Sequence, residues 1–191
     1  MKNVAIVLGA FLTLFLVACE GDPGPPGFDG PQGPQGPPGE DGLQAQLFEV
    51  DGVNFNYLPE DNLYEAILVF DDFTGFQVGP NDAVLVYRYD RTVDFDDGTA
   101  EDIWSLVPLD FFLEQGTIQY LSGHTTRDVE ILINGNFNLA NLDTGFIDNQ
   151  LFRVAILPGV AATAKMDKSN IAEVMNFLGL EEKDVQKIRM K

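Results

Sequence analysis

Six carboxylates crowd into thirteen residues, Asp90-Arg-Thr-Val-Asp94-Phe-Asp96-Asp97-Gly98-Thr-Ala-Glu101-Asp102. Carboxylate oxygens are the ligands Ca²⁺ takes. Asp90, Asp94, Asp96, Asp97, Glu101 and Asp102 are therefore the candidate calcium residues, and calcium is the one candidate cofactor. The register is not that of a helix–loop–helix calcium site. With Asp94 first, Gly98 falls fifth where the sixth position needs it, and Ser105 stands where the bidentate Glu belongs. A hairpin turning at Asp97-Gly98 uses the same residues with no metal. Asp71-Asp72 is a shorter acidic pair. His124 is the single histidine, set in Ser122-Gly-His-Thr-Thr126, which reads as a turn; one imidazole without Cys partners does not build a zinc site. The chain has no Gly-rich phosphate loop, nucleophile elbow or dinucleotide fingerprint, and no residue is assigned a catalytic role.

The other residue with chemistry to offer is Cys19, the only cysteine. Lys2 gives a small positive start and Val4 to Val17 an uncharged apolar run, the pattern of an export leader and too short for a comfortable membrane span. The run ends in Leu16-Val17-Ala18-Cys19, which resembles the bacterial lipobox. That resemblance implies cleavage before Cys19, a mature N-terminus at Cys19, and diacylglyceryl and N-acyl (palmitate-type) chains on it. Several acyl chains, each contributing about 0.8 kcal/mol per buried CH₂, anchor far more firmly than one. A lone Cys forms no internal disulfide, so the exported domain has to fold by packing.

Immediately after the cysteine, glycine recurs at every third position: Gly21, Gly24, Gly27, Gly30, Gly33, Gly36, Gly39 and Gly42. Seven of the 11 prolines lie in the same stretch. This is a collagen-like repeat. In a three-chain helix every third residue faces a crowded axis where only Gly fits, and Pro presets the polyproline II torsions. A single extended chain also wants the prolines, though it does not need Gly in strict register. Triple helix and single-chain stalk are both open at this point. In either form the 24 residues reach on the order of 70 Å.

From Ala45 the composition becomes that of a folded domain. Short apolar runs rich in β-branched and aromatic residues alternate with turn residues. They predict strands over Gln46–Val50, Leu63–Phe70, Ala83–Tyr89, Asp102–Leu109, Thr117–Gly123, Asp128–Ile133 and Leu151–Leu157. Asp51-Gly52, Gly79-Pro-Asn-Asp82, Asp97-Gly98, Glu114-Gln-Gly116 and Asn134-Gly-Asn136 are the turns between them. The expected fold is mainly β, an antiparallel sandwich or barrel over residues 45–164, with a helical tail over 165–191. In that tail Ser169 is the expected cap of a helix over Asn170–Leu178. Its Ile171, Val174, Met175 and Leu178 share one face, and Gly179 ends it. Glu182 to Met190 reads as a short amphipathic segment.

Charge narrows the partners. The net charge is −19, which argues against nucleic acid and against docking on anionic headgroups through a basic face. Glu20 to Ala164 carries 25 acidic and four basic residues, whereas the segment from Lys165 carries six basic and five acidic.

Taken together, the lipobox cysteine, the glycine repeat and the segments DIWSLVPLDFFLEQGTIQY, DVEILING and NQLFRVAILP resemble the collagen-like lipoproteins of Gram-negative envelopes over nearly the whole chain. The resemblance implies an outer-membrane, lipid-anchored location and carries over no catalytic residues. The expected function is a non-catalytic envelope module, a β domain displayed on a stalk for adhesion or surface organisation. Its expected partners are the membrane through covalent lipid, two further copies through the stalk, and a surface or matrix ligand. Two alternatives stand beside it. One is a carbohydrate-active hydrolase with an Asp/Glu pair across a cleft. The other is a periplasmic spacer.

Overall fold

Leu63-Tyr-Glu-Ala-Ile-Leu-Val69 and Asp128-Val-Glu-Ile-Leu-Ile-Asn-Gly135 alternate in burial residue by residue, as half-buried strands must. In contrast, Gln150-Leu-Phe-Arg-Val-Ala-Ile-Leu157 is buried at nearly every position. These two patterns define the architecture. One sheet is covered on one face, and the other is covered on both. The computed structural model describes residues 46–72 and 78–190. Cys19 and the glycines from Gly21 to Gly42 lie outside the described residues. Every described element belongs to one compact unit, Glu40–Lys191.

The strands are β1 (Gln46–Val53), β2 (Asn56–Leu58), β3 (Leu63–Val69), β4 (Ala83–Asp94), β5 (Ala100–Leu106), β6 (Leu109–Leu113), β7 (Gly116–His124), β8 (Asp128–Gly135), β9 (Gln150–Leu157) and β10 (Gln186–Arg189). Among the described residues there are also three short α-helices, α1 (Thr144–Ile147), α2 (Gly159–Ala162) and α3 (Ile171–Leu178), and three 3₁₀ turns. One sheet has the order β10-β1-β9-β4-β5 and the other β2-β3-β8-β7-β6. All pairings are antiparallel except β1 with β10, where Phe48 to Asp51 run parallel to Gln186 to Arg189.

The two sheets face each other across one apolar layer. Phe48, Val86, Phe152, Val154 and Ile156 come from the first sheet. Tyr64, Leu68, Ile118, Tyr120, Ile131 and Ile133 come from the second. Each such side chain contributes roughly 1.5–3 kcal/mol by leaving water. An aromatic cluster fills one end. Phe55 meets Tyr120 edge-on at 6.0 Å, and Phe111 meets Phe146 at 5.3 Å. Arg88 closes it, 5.1 Å from the Tyr120 ring and bonded to Gln150 Oε1 at 2.7 Å. The chain is thus mainly β, as its alternation implies, and the two sheets are separate and open.

A second apolar layer lies on the outer face of the first sheet, where Leu47, Tyr87, Trp104, Ala155 and Leu157 pack under Ala161, Val174, Met175 and Val185. This is what buries β9 on both faces. The helix over 171–178 forms on its expected face, with Val174 and Met175 buried. Gly179 adopts φ +68° beyond its end, a left-handed conformation that glycine takes without strain. The cap differs from expectation. Asn170 Oδ1 accepts from the backbone N–H of Ala172 and Glu173, while the Ser169 hydroxyl donates to Asp167 Oδ1 at 2.6 Å and is not available.

Three further differences have local causes. The run expected as one strand over 102–109 is two strands, parted at Val107-Pro108, because Pro has no N–H for the ladder. β4 and β5 both extend beyond the expected strands, into the polar residues Asp90–Asp94 and Ala100–Glu101. They form an arm, and most of its residues are exposed and offer no apolar signal. The tail over 165–191 is not wholly helical. Glu182–Asp184 is a 3₁₀ turn and Gln186–Arg189 a strand. The tail is built into the domain, through α3 on the second layer and β10 on the edge of β1.

Candidate functional site

The outer face of the first sheet buries two charges, Arg153 and Glu49, among apolar residues. Arg153 lies mid-β9, in register with Glu49 on β1 and Tyr87 on β4, and it is only 3% exposed. A guanidinium in such a place has to be paired and fully bonded or it unfolds the site. Its Nε and Nη2 donate to Glu49 Oε2 at 3.0 and 2.8 Å. Nη2 also bonds Glu182 Oε1. Its central carbon lies 4.2 Å from the Trp104 ring centroid, a cation–π contact strengthened by the absence of water. Glu49, itself 9% exposed, receives Lys187 Nζ on its other oxygen at 3.1 Å. One arginine therefore ties β1, β9, β5 and the C-terminal turn together. Nearby, the Tyr87 hydroxyl donates to the Lys168 carbonyl at 2.6 Å. Burial pushes that hydroxyl far above its ordinary pKa, with the charge of Asp167 adding to the effect.

Above this network lies a cleft of about 480 Å³ between the β4–β5 arm and α3. Arg153, Trp104 and Glu182 form its base, Ile171, Ala172 and Met175 one wall, and Thr92, Ala100, Glu101 and Asp102 the other.

The six acidic residues of the arm divide between its strands and its tip. Asp90 and Asp94 are on β4, Asp96 and Asp97 at the turn, and Glu101 and Asp102 on β5. The tip is the hairpin turn expected at Asp97-Gly98. Phe95 donates to the Thr99 carbonyl at 2.8 Å, and Gly98 takes φ +84°. Asp97 Oδ1 accepts from the backbone N–H of Thr99 at 2.9 Å and from its hydroxyl at 2.6 Å. These bonds, the hydroxyl's first, hold its carboxyl below the usual range. Asp102 Oδ1 accepts from the Thr92 hydroxyl at 2.8 Å, and Asp90 pairs with Arg91. Three of the six carboxylates, Asp90, Asp97 and Asp102, are thus bonded within the arm itself. Among the described residues no three His, Cys, Asp or Glu side chains converge as a metal site. Only Glu101 and Asp102 reach the cleft. His124, expected in a turn, is the exposed last residue of β7, and the turn follows it.

Glu49, Arg153 and Glu182 were not legible as a site. Glu49 is 104 positions from Arg153 and Glu182 is 29 from it. The available signal was one Arg inside an otherwise uncharged strand run, a residue that has to find carboxylates somewhere.

No family model matches the chain, and neither does any curated protein or solved structure. Among the described residues no helix is long and apolar enough to cross a membrane.

Proposed function

We propose that this chain is a non-catalytic, lipid-anchored envelope protein that holds an acidic two-sheet domain away from the outer membrane on a collagen-like stalk, where it engages a surface or matrix partner. The observation that carries the reading is the order of its parts. Leu16-Val-Ala-Cys19 is followed directly by eight triplets with Gly in strict register, and these by a domain whose first strand begins at Gln46. An acylated cysteine gives attachment, and the triplets give reach or a three-chain assembly. The cleft favours binding over hydrolysis. Glycoside hydrolysis needs two carboxyl groups free to act as acid and as nucleophile or base. Here Glu182 is held by Arg153 and Asp102 by Thr92.

Two measurements test it. Mass spectrometry of the mature N-terminus is expected to show an acylated Cys19, and Cys19→Ala to leave the leader uncleaved or the protein out of the detergent phase. Protease shaving of intact cells is expected to remove the domain. An unmodified Cys19 in the wild-type protein would sink the anchor, and a domain untouched by shaving would place it on the periplasmic side.

A further inference from the structure

The walls of the cleft differ in chemistry. Strand alternation turns Ala100, Asp102 and Trp104 of β5 to one face. The opposite wall is apolar, Ile171 and Met175 of α3. The base brings no net charge, because Arg153 and Lys187 balance Glu49 and Glu182. The uncompensated charge facing the cleft is therefore that of Asp102, with Glu101 beside it on the other face of β5, on a chain of net charge −19. The volume, about 480 Å³, is in the range of ligand sites, roughly 300–1,000 Å³.

Two ligand classes fit poorly. A sugar ring needs an open aromatic face. Trp104 is 8% exposed, with the Arg153 guanidinium over its ring and the Tyr89 ring edge-on at 5.6 Å. An anion meets Asp102, and the N–H groups of Ala172 and Glu173 that begin α3 are already taken by Asn170. A cation on an aliphatic stem matches both walls, its stem covering apolar carbon and its head reaching the Asp102 carboxylate.

We infer that this cleft binds a lysine-type side chain of a partner polypeptide. Its stem lies along Ile171 and Met175, and its ammonium faces Asp102, with the charge of Glu101 at the next position adding to the attraction. The inference names the partner chemistry of the display module proposed above and rests on that reading.

Trp104 is the only tryptophan of the chain, so its fluorescence reports on the cleft. The full chain in non-ionic detergent is titrated with three probes: a blocked trilysine, a blocked tripeptide of 2,4-diaminobutyric acid, and chitotetraose. The second keeps the amines and shortens the stems; the third is a neutral sugar. Trilysine is expected to give a saturable change, the short-stem peptide to bind several-fold more weakly, and chitotetraose to give none. Glu101→Gln with Asp102→Asn is expected to weaken trilysine about tenfold, about 1.4 kcal/mol. Asn at 102 still accepts from Thr92, and circular dichroism checks that the arm stays folded. Asp71→Asn with Asp72→Asn removes the same charge away from the cleft and is expected to change nothing.

No saturable response to trilysine overturns the inference. So does equal binding of the short-stem peptide, a response to chitotetraose in its place, or equal weakening by both double variants. None of these outcomes touches the anchor, which stands or falls on Cys19 and the shaving of cells.

Discussion

Replacing Arg153 by Met removes one charge and leaves two carboxylates behind. Deleting one partner of a buried ion pair costs roughly 3–5 kcal/mol, because the survivor stays buried without compensation. Three local facts adjust that range. Glu182 is 60% exposed in its side chain and regains water at little cost. Glu49 is 11% exposed in its side chain but keeps Lys187 at 3.1 Å. The cation–π contact with Trp104, about 2 kcal/mol when desolvated, is partly replaced by a sulfur–aromatic contact of about 0.3–1.5 kcal/mol. The expected loss is about 3 kcal/mol, and for a domain of this size it lowers the melting temperature by roughly 6–12 °C. The assay is urea unfolding of the full chain followed by far-ultraviolet circular dichroism, since Trp104 fluorescence is itself perturbed. The second arm is Glu49→Leu with Arg153→Met, which takes both buried charges out and is expected to recover at least half of the loss. A single variant within about 1 kcal/mol of wild type, or a double variant less stable than the single, would refute the reasoning.

Alkaline pH is a second lever. Tyr120, fully buried and bonded to the Phe146 carbonyl at 2.5 Å, has its hydroxyl pushed by burial from 10.0 up to about 12, against the opposing pull of Arg88. Its neutral form belongs to the fold, so its contribution is full below pH 10 and is lost as pH rises toward 12. Tyr120→Phe, which forfeits about 1 kcal/mol of hydrogen bond, is expected to show a shallower fall in melting temperature across that window; parallel falls would overturn the assignment. Calcium is expected to leave the melting curve unmoved, with millimolar Ca²⁺ or with chelator, because no three carboxylates among the described residues converge; a rise with Ca²⁺ would show a folded-state site. Gly30→Ala is expected to lower the mass of the detergent-solubilised protein, measured by light scattering, if three stalks share an axis. A wild-type protein already monomeric at micromolar concentration would reduce the repeat to a single-chain tether.

Much of the fold was written in local pattern. Apolar runs bounded by turn residues marked Leu63–Phe70, Asp128–Ile133 and Leu151–Leu157 as strands, and strands form there; that the last is covered on both faces came only with the packing of the tail. Local pattern failed where pairing depends on distant residues. Gln186-Lys-Ile-Arg189 has a single apolar residue and becomes a strand because β1 offers an open edge, with Lys187 beside Glu49 and Arg189 beside Asp51. The arm failed for the opposite reason. It is a strand pair mostly exposed to water, so polarity hid it. The cleft was half legible. Glu101 and Asp102 stood out as acidic residues, but the Arg153 network and the α3 wall exist only once tertiary packing assembles them.

The placement of β10 bears on how the domain answers to force. A pull arriving from the N-terminal side enters the fold at Gln46, the first residue of β1. β1 is not at the margin of its sheet, since β9 flanks it on one side and β10 on the other. Hydrogen bonds to β9 run perpendicular to the strand, so tension along β1 loads them together in shear and does not peel them one at a time. Without the last few residues of the chain, β1 would be a margin strand gripped on one side only. The C-terminal strand, which touches the proposed partner site nowhere, thus acts as a brace against traction at the opposite end of the polypeptide.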